Sequence, residues 1–191
     1  MSADEQAAQA ARGADGDAVS APPRRHTTWI VLVTALIVLV IDQLSKAWAV
    51  SKLEGRPPIE LLGTWLQLNF VRNPGAAFSL GGSSTIIVSL LAIGVVVVLL
   101  VRARGLGSVW WAVAMGGMVG GALGNLSDRV FRTPGGLRGQ VVDFIQIPHW
   151  PVFNVADMAV VCSAILMVVL AFRGVDFDGS SAKKPAVPAA S

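Results

Sequence analysis

Long uncharged intervals constrain this chain more than any other feature. No charged residue occurs between Arg72 and Arg102, and none occurs from Gly105 to Ser127. Thr28–Val50 carries only Asp42 and Lys46, and Asn154–Phe172 carries only Asp157. A helix needs about 20 apolar residues to cross the hydrocarbon of a bilayer. Each interval is long enough, the second as a helix over Thr85–Val101. Only 14% of the chain is charged and mean hydropathy is +0.63. A soluble domain carries about 25% charge. These features predict an all-α membrane protein with four transmembrane helices.

The net charge of +3 comes without a basic stripe or nucleic-acid motif and reads as membrane-flanking charge. Nucleic acid is excluded as a partner. Cys162 is a lone cysteine in an apolar run, and His26 and His149 are far apart, so no metal or cofactor is expected. Residues 1–27 and 175–191 have the composition of disordered tails flanking a 28–174 domain. Arg24-Arg25, Trp29–Ile41 and Ala47-Trp48-Ala49 also outline a cleavable signal peptide. Asp42 and Lys46, charged where signal peptides are neutral, favour a retained helix.

Four spans place both termini on one side. The basic connector Arg102–Gly107 suits the cytoplasm. The overall Lys/Arg balance is nearly even, eight on that side against seven on the other. With the connector inside, residues 51–84 and 129–153 face outward. Alternation within Leu61–Val71 predicts a small extracytoplasmic β element on the outer leaflet. Trp48 and Trp65 would anchor there, and Trp110 and Trp111 at the inner interface. Gly116, Gly120 and Gly124, with Gly117 and Gly121, recur every four residues and form a smooth surface for close helix packing.

An ionisable group in the membrane is costly and needs a reason. Asp42 and Lys46 leave the first helix where Asn125, Asp128 and Arg129 leave the third. Asp143 precedes the fourth helix, and Asn154 and Asp157 open it. In an up-down bundle these ends meet. Asp42 and Lys46 are i, i+4 and can pair. Each Asn lies three residues before an Asp and can reach it with an amide donor, and Arg129 can pair with Asp128. Two neighbouring carboxylates share a proton, so one can activate a water while the other protonates the leaving group. That is metal-free peptide hydrolysis. Intramembrane acids equally mark a proton- or ion-coupled transporter. The residues alone leave both open, together with a non-enzymatic membrane scaffold whose aspartates are ion-pair partners or helix caps, and do not choose a pair among the aspartates.

The motifs Asp42-Gln-Leu-Ser-Lys46, Asn73-Pro-Gly-Ala-Ala-Phe78, Gly120-Gly-Ala-Leu-Gly-Asn-Leu-Ser-Asp-Arg129, Val141-Val-Asp-Phe144 and Phe153-Asn-Val-Ala-Asp157 occur in this order. Together they resemble the lipoprotein signal peptidases (signal peptidase II). The resemblance implies an inner-membrane aspartic endopeptidase with cytoplasmic termini and an outward-facing site. Its implied substrates are prolipoproteins carrying diacylglyceryl-cysteine, cut before that cysteine, with membrane lipid as a further partner. It implies Asp143 and Asp157 as the catalytic pair. Asn73, Asn125, Asp128, Arg129 and Asn154 would bind or orient substrate, and Asp42 and Lys46 would be structural. Globomycin-type peptides would inhibit, and a monomer is expected. The short connector between Asp143 and Asp157 implies a small lid.

Overall fold

The computed structural model describes residues 25–75 and 82–179. Among the described residues, four helices are long and apolar enough to cross a membrane. They are α1 (Arg25–Leu53), α2 (Gly82–Arg102), α3 (Val109–Phe131) and α4 (Val155–Phe172). A three-stranded antiparallel sheet joins β1 (Ile59–Glu60), β2 (Gln67–Asn73) and β3 (Val141–Gln146) in that order. The chain is a multi-pass membrane protein. The tail residues 1–24 and 180–191, and Ala76–Phe78 of the Asn73–Phe78 motif, lie outside the described residues.

Helix α3 is the hub, and its glycines explain why. A methyl on Gly116 or Gly120 would lie 2.7 Å from the Val31 carbonyl oxygen or 2.6 Å from that of Ala35, both on α1. A methyl on Gly121 would lie 2.6 Å from the Ala156 carbonyl oxygen on α4, and one on Gly117 would strike Ser163. The two glycine stripes therefore serve two different neighbours. Lipid gives helices no hydrophobic drive to associate, so close backbone approach supplies much of the packing. Gly124 continues the first stripe down to the Asp42 carboxylate.

Apolar clusters fill the two ends. Val31, Ala103, Leu106, Ala112 and Met115 pack at the connector end. Ala49, Leu53, Val142 and Phe144 seat the sheet on α1 at the opposite, polar end. The β element is larger than the alternation at 61–71 indicates. Its third strand comes from 141–146, which is buried through Phe144 and so reads as an apolar run rather than alternating.

Two boundaries differ from expectation. Helix α1 begins at Arg25, within the segment expected as tail. Residues 175–179 also belong to the folded part. Trp111 donates from Nε1 to the Val175 carbonyl at 2.8 Å and meets Phe177 edge-on, while the Phe177 carbonyl accepts from Gly107 and Ser108. Polar composition concealed a strap that ties its backbone to the connector. Trp111 thus faces inward, whereas Trp110 is exposed as an interfacial anchor would be.

Candidate active site

The polar end gathers every ionisable residue that the sequence singled out. Asn154 caps α4. Its Oδ1 accepts from the Asp157 amide at 3.0 Å, and Asp157 Oδ2 accepts from the Asn154 amide at 3.1 Å. This reciprocal capping box pins Asp157 at the helix N-terminus, where a carboxylate is favoured. Asp143 comes from β3. Asn73 pairs with Val141 across the sheet, which puts Asn73 and Asp143 diagonally on one face. Asn73 Nδ2 donates to Asp143 Oδ2 at 2.9 Å.

The asparagines cross over. The sequence spacing pairs Asn125 with Asp128 and Asn154 with Asp157 through their side-chain amides. Instead Asn125 Nδ2 donates to Asp157 Oδ1 at 2.8 Å, and Asn154 Nδ2 donates to Asp143 Oδ1 at 2.7 Å. Capping uses the oxygen of Asn154 and leaves its amino group free to reach β3.

Asp128 is also paired differently from expectation. Arg132 Nε donates to its Oδ1 at 2.6 Å, and Lys46 Nζ lies 3.1 Å from Oδ2, which also accepts from the Val142 amide. Arg129 instead donates to the carbonyls of Asn73 and Gly139, at 3.2 and 3.0 Å. It ties the end of β2 and the approach to β3 to α3. Arg132, at i+4 from Asp128, had a visible helical signal that the sequence reading passed over. Lys46 also meets Asp42 at 2.9 Å, and Asp42 Oδ1 accepts from the Ala156 amide, so α1 caps α4. Among the described residues no buried polar side-chain atom lacks a partner, and no acid, His or Cys cluster could hold a metal.

A cavity of about 390 Å³ opens onto this network. Asp143, Asp157, Asn73, Asn125 and Arg129 form its polar wall. Val88 and Ala92 of α2, Leu126 of α3 and Val161 of α4 form an apolar wall. Trp150, 63% exposed in the short loop before α4, stands at its edge. Ser89 joins the lining and donates to the Leu137 carbonyl. The α2 contribution escaped the sequence reading, because Val88 and Ala92 are indistinguishable there from lipid-facing residues.

Asp143 is 2% exposed. Burial pushes its carboxyl up to about 6. The Asn73 donor opposes the rise, the Asp157 charge adds to it, and Asn154 and Lys46 oppose it. A carboxyl held near neutrality in a cavity beside a second carboxylate suits acid–base chemistry.

The chain is similar to known proteins over most of its length. The family model described as signal peptidase (SPase) II matches residues 34–173. A lipoprotein signal peptidase of Streptomyces griseus is 48% identical over 163 residues, covering 85% of this chain and 83% of that protein. One from Rhodococcus jostii is 46% identical over 172 residues, covering 88% and 87%. A solved bacterial membrane enzyme superposes with a TM-score of 0.67 at 26% identity, covering 75% of this chain and 92% of that one.

Proposed function

This chain belongs to the signal peptidase II family of membrane peptidases for lipoproteins, and from that premise we propose that it is an aspartic endopeptidase with Asp143 and Asp157 as its catalytic pair. The carrying observation is the shared cavity in which both carboxylates are held by oriented amides. Family membership also turns the intramembrane acids away from the ion-coupled transporter reading.

The pair holds one proton between them, and a coupled pair titrates as a unit. The raised carboxyl of Asp143 is its natural carrier. A water bridging the pair loses a proton to the ionised member as its oxygen attacks the scissile carbonyl carbon. The protonated member hydrogen-bonds the carbonyl oxygen as negative charge develops there. Collapse of the tetrahedral intermediate breaks the C–N bond, and a carboxyl proton passes to the departing amine. The new carboxylate takes the water oxygen, so no metal or covalent intermediate is required.

The substrate is a prolipoprotein bearing diacylglyceryl-cysteine, cut on the amino side of that cysteine. The apolar wall between α2 and α4 accepts the lipid-borne segment from the membrane, while the polar wall receives the peptide bond. Asn125 and Asn154 hold the pair, Asn73 spans from β2 to Asp143, and Arg129 fixes Asn73. Lys46 and Arg132 both hold the Asp128 carboxylate, so it supports the site rather than reacting. The enzyme works as a monomer in the bacterial inner membrane, with both termini cytoplasmic and the site facing outward. Globomycin-type peptides occupy the same cavity.

Mass spectrometry of products tests this reading. A purified diacylglyceryl prolipoprotein should yield a mature chain beginning at the modified cysteine, in a globomycin-sensitive way. Equal cleavage of unmodified precursor, or a cut elsewhere, would contradict it.

A further inference from the structure

Lys46 does more than its ion pairs require. It lies on α1, a helix that contributes no residue to the cavity lining, and it is fully buried. Its Nζ reaches three acceptors: Asp42 Oδ2 at 2.9 Å, Asp128 Oδ2 at 3.1 Å and Asn125 Oδ1 at 2.9 Å. The carboxylates answer its charge. The third bond has another consequence.

An ammonium only donates, so the amide that meets it must present oxygen. Asn125 therefore turns Oδ1 toward Lys46 and Nδ2 toward Asp157. The same Oδ1 accepts from Asn154 Nδ2 at 3.1 Å, and that amino group also donates to Asp143. A flipped Asn125 would set its NH2 against both donors and its oxygen against the Asp157 carboxylate. We propose that Lys46 is a positioning residue of the reaction: its ammonium fixes the Asn125 amide, and through it Asn154, so that both direct N–H groups at the two reacting aspartates. The inference rests on the assignment of that pair.

Loss of the ammonium removes one of the two donors that hold the Asn125 oxygen and leaves only the longer Asn154 bond against its turning toward Asp157, a geometry that favours a protonated rather than an ionised pair. The charged groups facing this network are Asp42 on α1, Asp128, Arg129 and Arg132 on α3, Asp143 on β3 and Asp157 on α4. Asn73 on β2 is neutral. Lys46→Met alone would strand Asp42 beside Asp128. Asp42→Asn/Lys46→Met keeps the net charge, leaves Arg132 on Asp128 and retains an oxygen to cap Ala156.

The test compares this double variant with Asp42→Asn/Lys46→Gln, which is matched in charge and keeps a side-chain amide at position 46 that can still donate to Asn125. Both are purified in detergent and checked for folding by size-exclusion chromatography and thermal unfolding. Cleavage of a diacylglyceryl prolipoprotein is then followed across pH. In the double variant kcat should fall about 10²-fold with KM within about threefold, as a misplaced reacting group requires. The high-pH limb of kcat/KM should move to higher pH, because the Lys46 charge is among the influences holding Asp143 down against burial. Asp42→Asn/Lys46→Gln should keep more of kcat. A folded double variant with wild-type kcat and pH profile, or a loss confined to KM, would overturn the proposal. So would failure of both variants to fold, which would assign Lys46 to the fold alone. Asp143→Asn in the same assay separates the two claims: activity kept there sinks the pair, whereas activity lost there but kept in the double variant sinks only the role of Lys46.

Discussion

Replacing Asp143 by Asn should make the protein more stable at neutral pH. Burial lifts this carboxyl from 3.8 to about 6. Folding thus tightens its hold on the proton. The associated stability is complete below the unfolded value and is lost as pH rises through about 6. Above that, the folded state carries an ionised group it disfavours, at a cost of about 3 kcal/mol for a rise of roughly two units. Asn is neutral throughout and removes that cost. It also faces two amide donors, from Asn73 and Asn154, with only one acceptor. One bond is lost, at about 1 kcal/mol. The net gain is about 2 kcal/mol at pH 8, or roughly 4–8 °C in Tm for a chain of this size. Near pH 4 the sign reverses, because the wild-type carboxyl is then largely protonated. Tryptophan fluorescence during thermal unfolding in detergent reads this directly, since Trp48 packs edge-on against Phe144, the neighbour of Asp143. Parallel Tm curves for variant and wild type from pH 4 to 8 would refute the reasoning.

Three further outcomes follow from the same geometry. Asp128→Asn leaves Lys46 and Arg132 short of a buried charge, so it should lower stability by about 3–5 kcal/mol and reduce folded yield; an unchanged Tm would count against a structural role. Gly120→Ala sets a methyl 2.6 Å from the Ala35 carbonyl oxygen and should cost about 1–3 kcal/mol by prising α1 from α3, as a lowered Tm would show. The high-pH limb of kcat/KM should lie near 6, where Asp143 loses its proton. That of kcat should lie higher, because bound substrate excludes water and favours the neutral carboxyl; identical limbs would argue against a group covered by substrate.

The fold was legible where one residue type repeats a single physical rule. Uncharged intervals gave the four helices, and the four-residue glycine spacing gave α3 as the closely packed element. The strand bearing Asp143 was hidden because Val141–Phe144 is buried on both faces and lacks alternation. The site was legible as a population: the acids and asparagines that the sequence singles out lie at one end of the bundle. Its wiring was not. Spacing on one helix paired Asn125 with Asp128 and Asn154 with Asp157, but tertiary contacts exchanged the partners. Likewise Lys46 reaches Asp128 across 82 positions of sequence, a contact that no local pattern encodes. Two cations hold Asp128, which supports keeping it outside the proposed pair, although neither is its adjacent Arg129.

The central claim is that Asp143 and Asp157 together activate the water. Cleavage of a purified diacylglyceryl prolipoprotein by Asp143→Asn and by Asp157→Asn, each first shown to be folded, tests it most directly. Both variants should leave the precursor uncut, with activity down by at least about 10³-fold, as loss of a directly reacting group costs. Near wild-type cleavage by either folded variant would remove that aspartate from the pair.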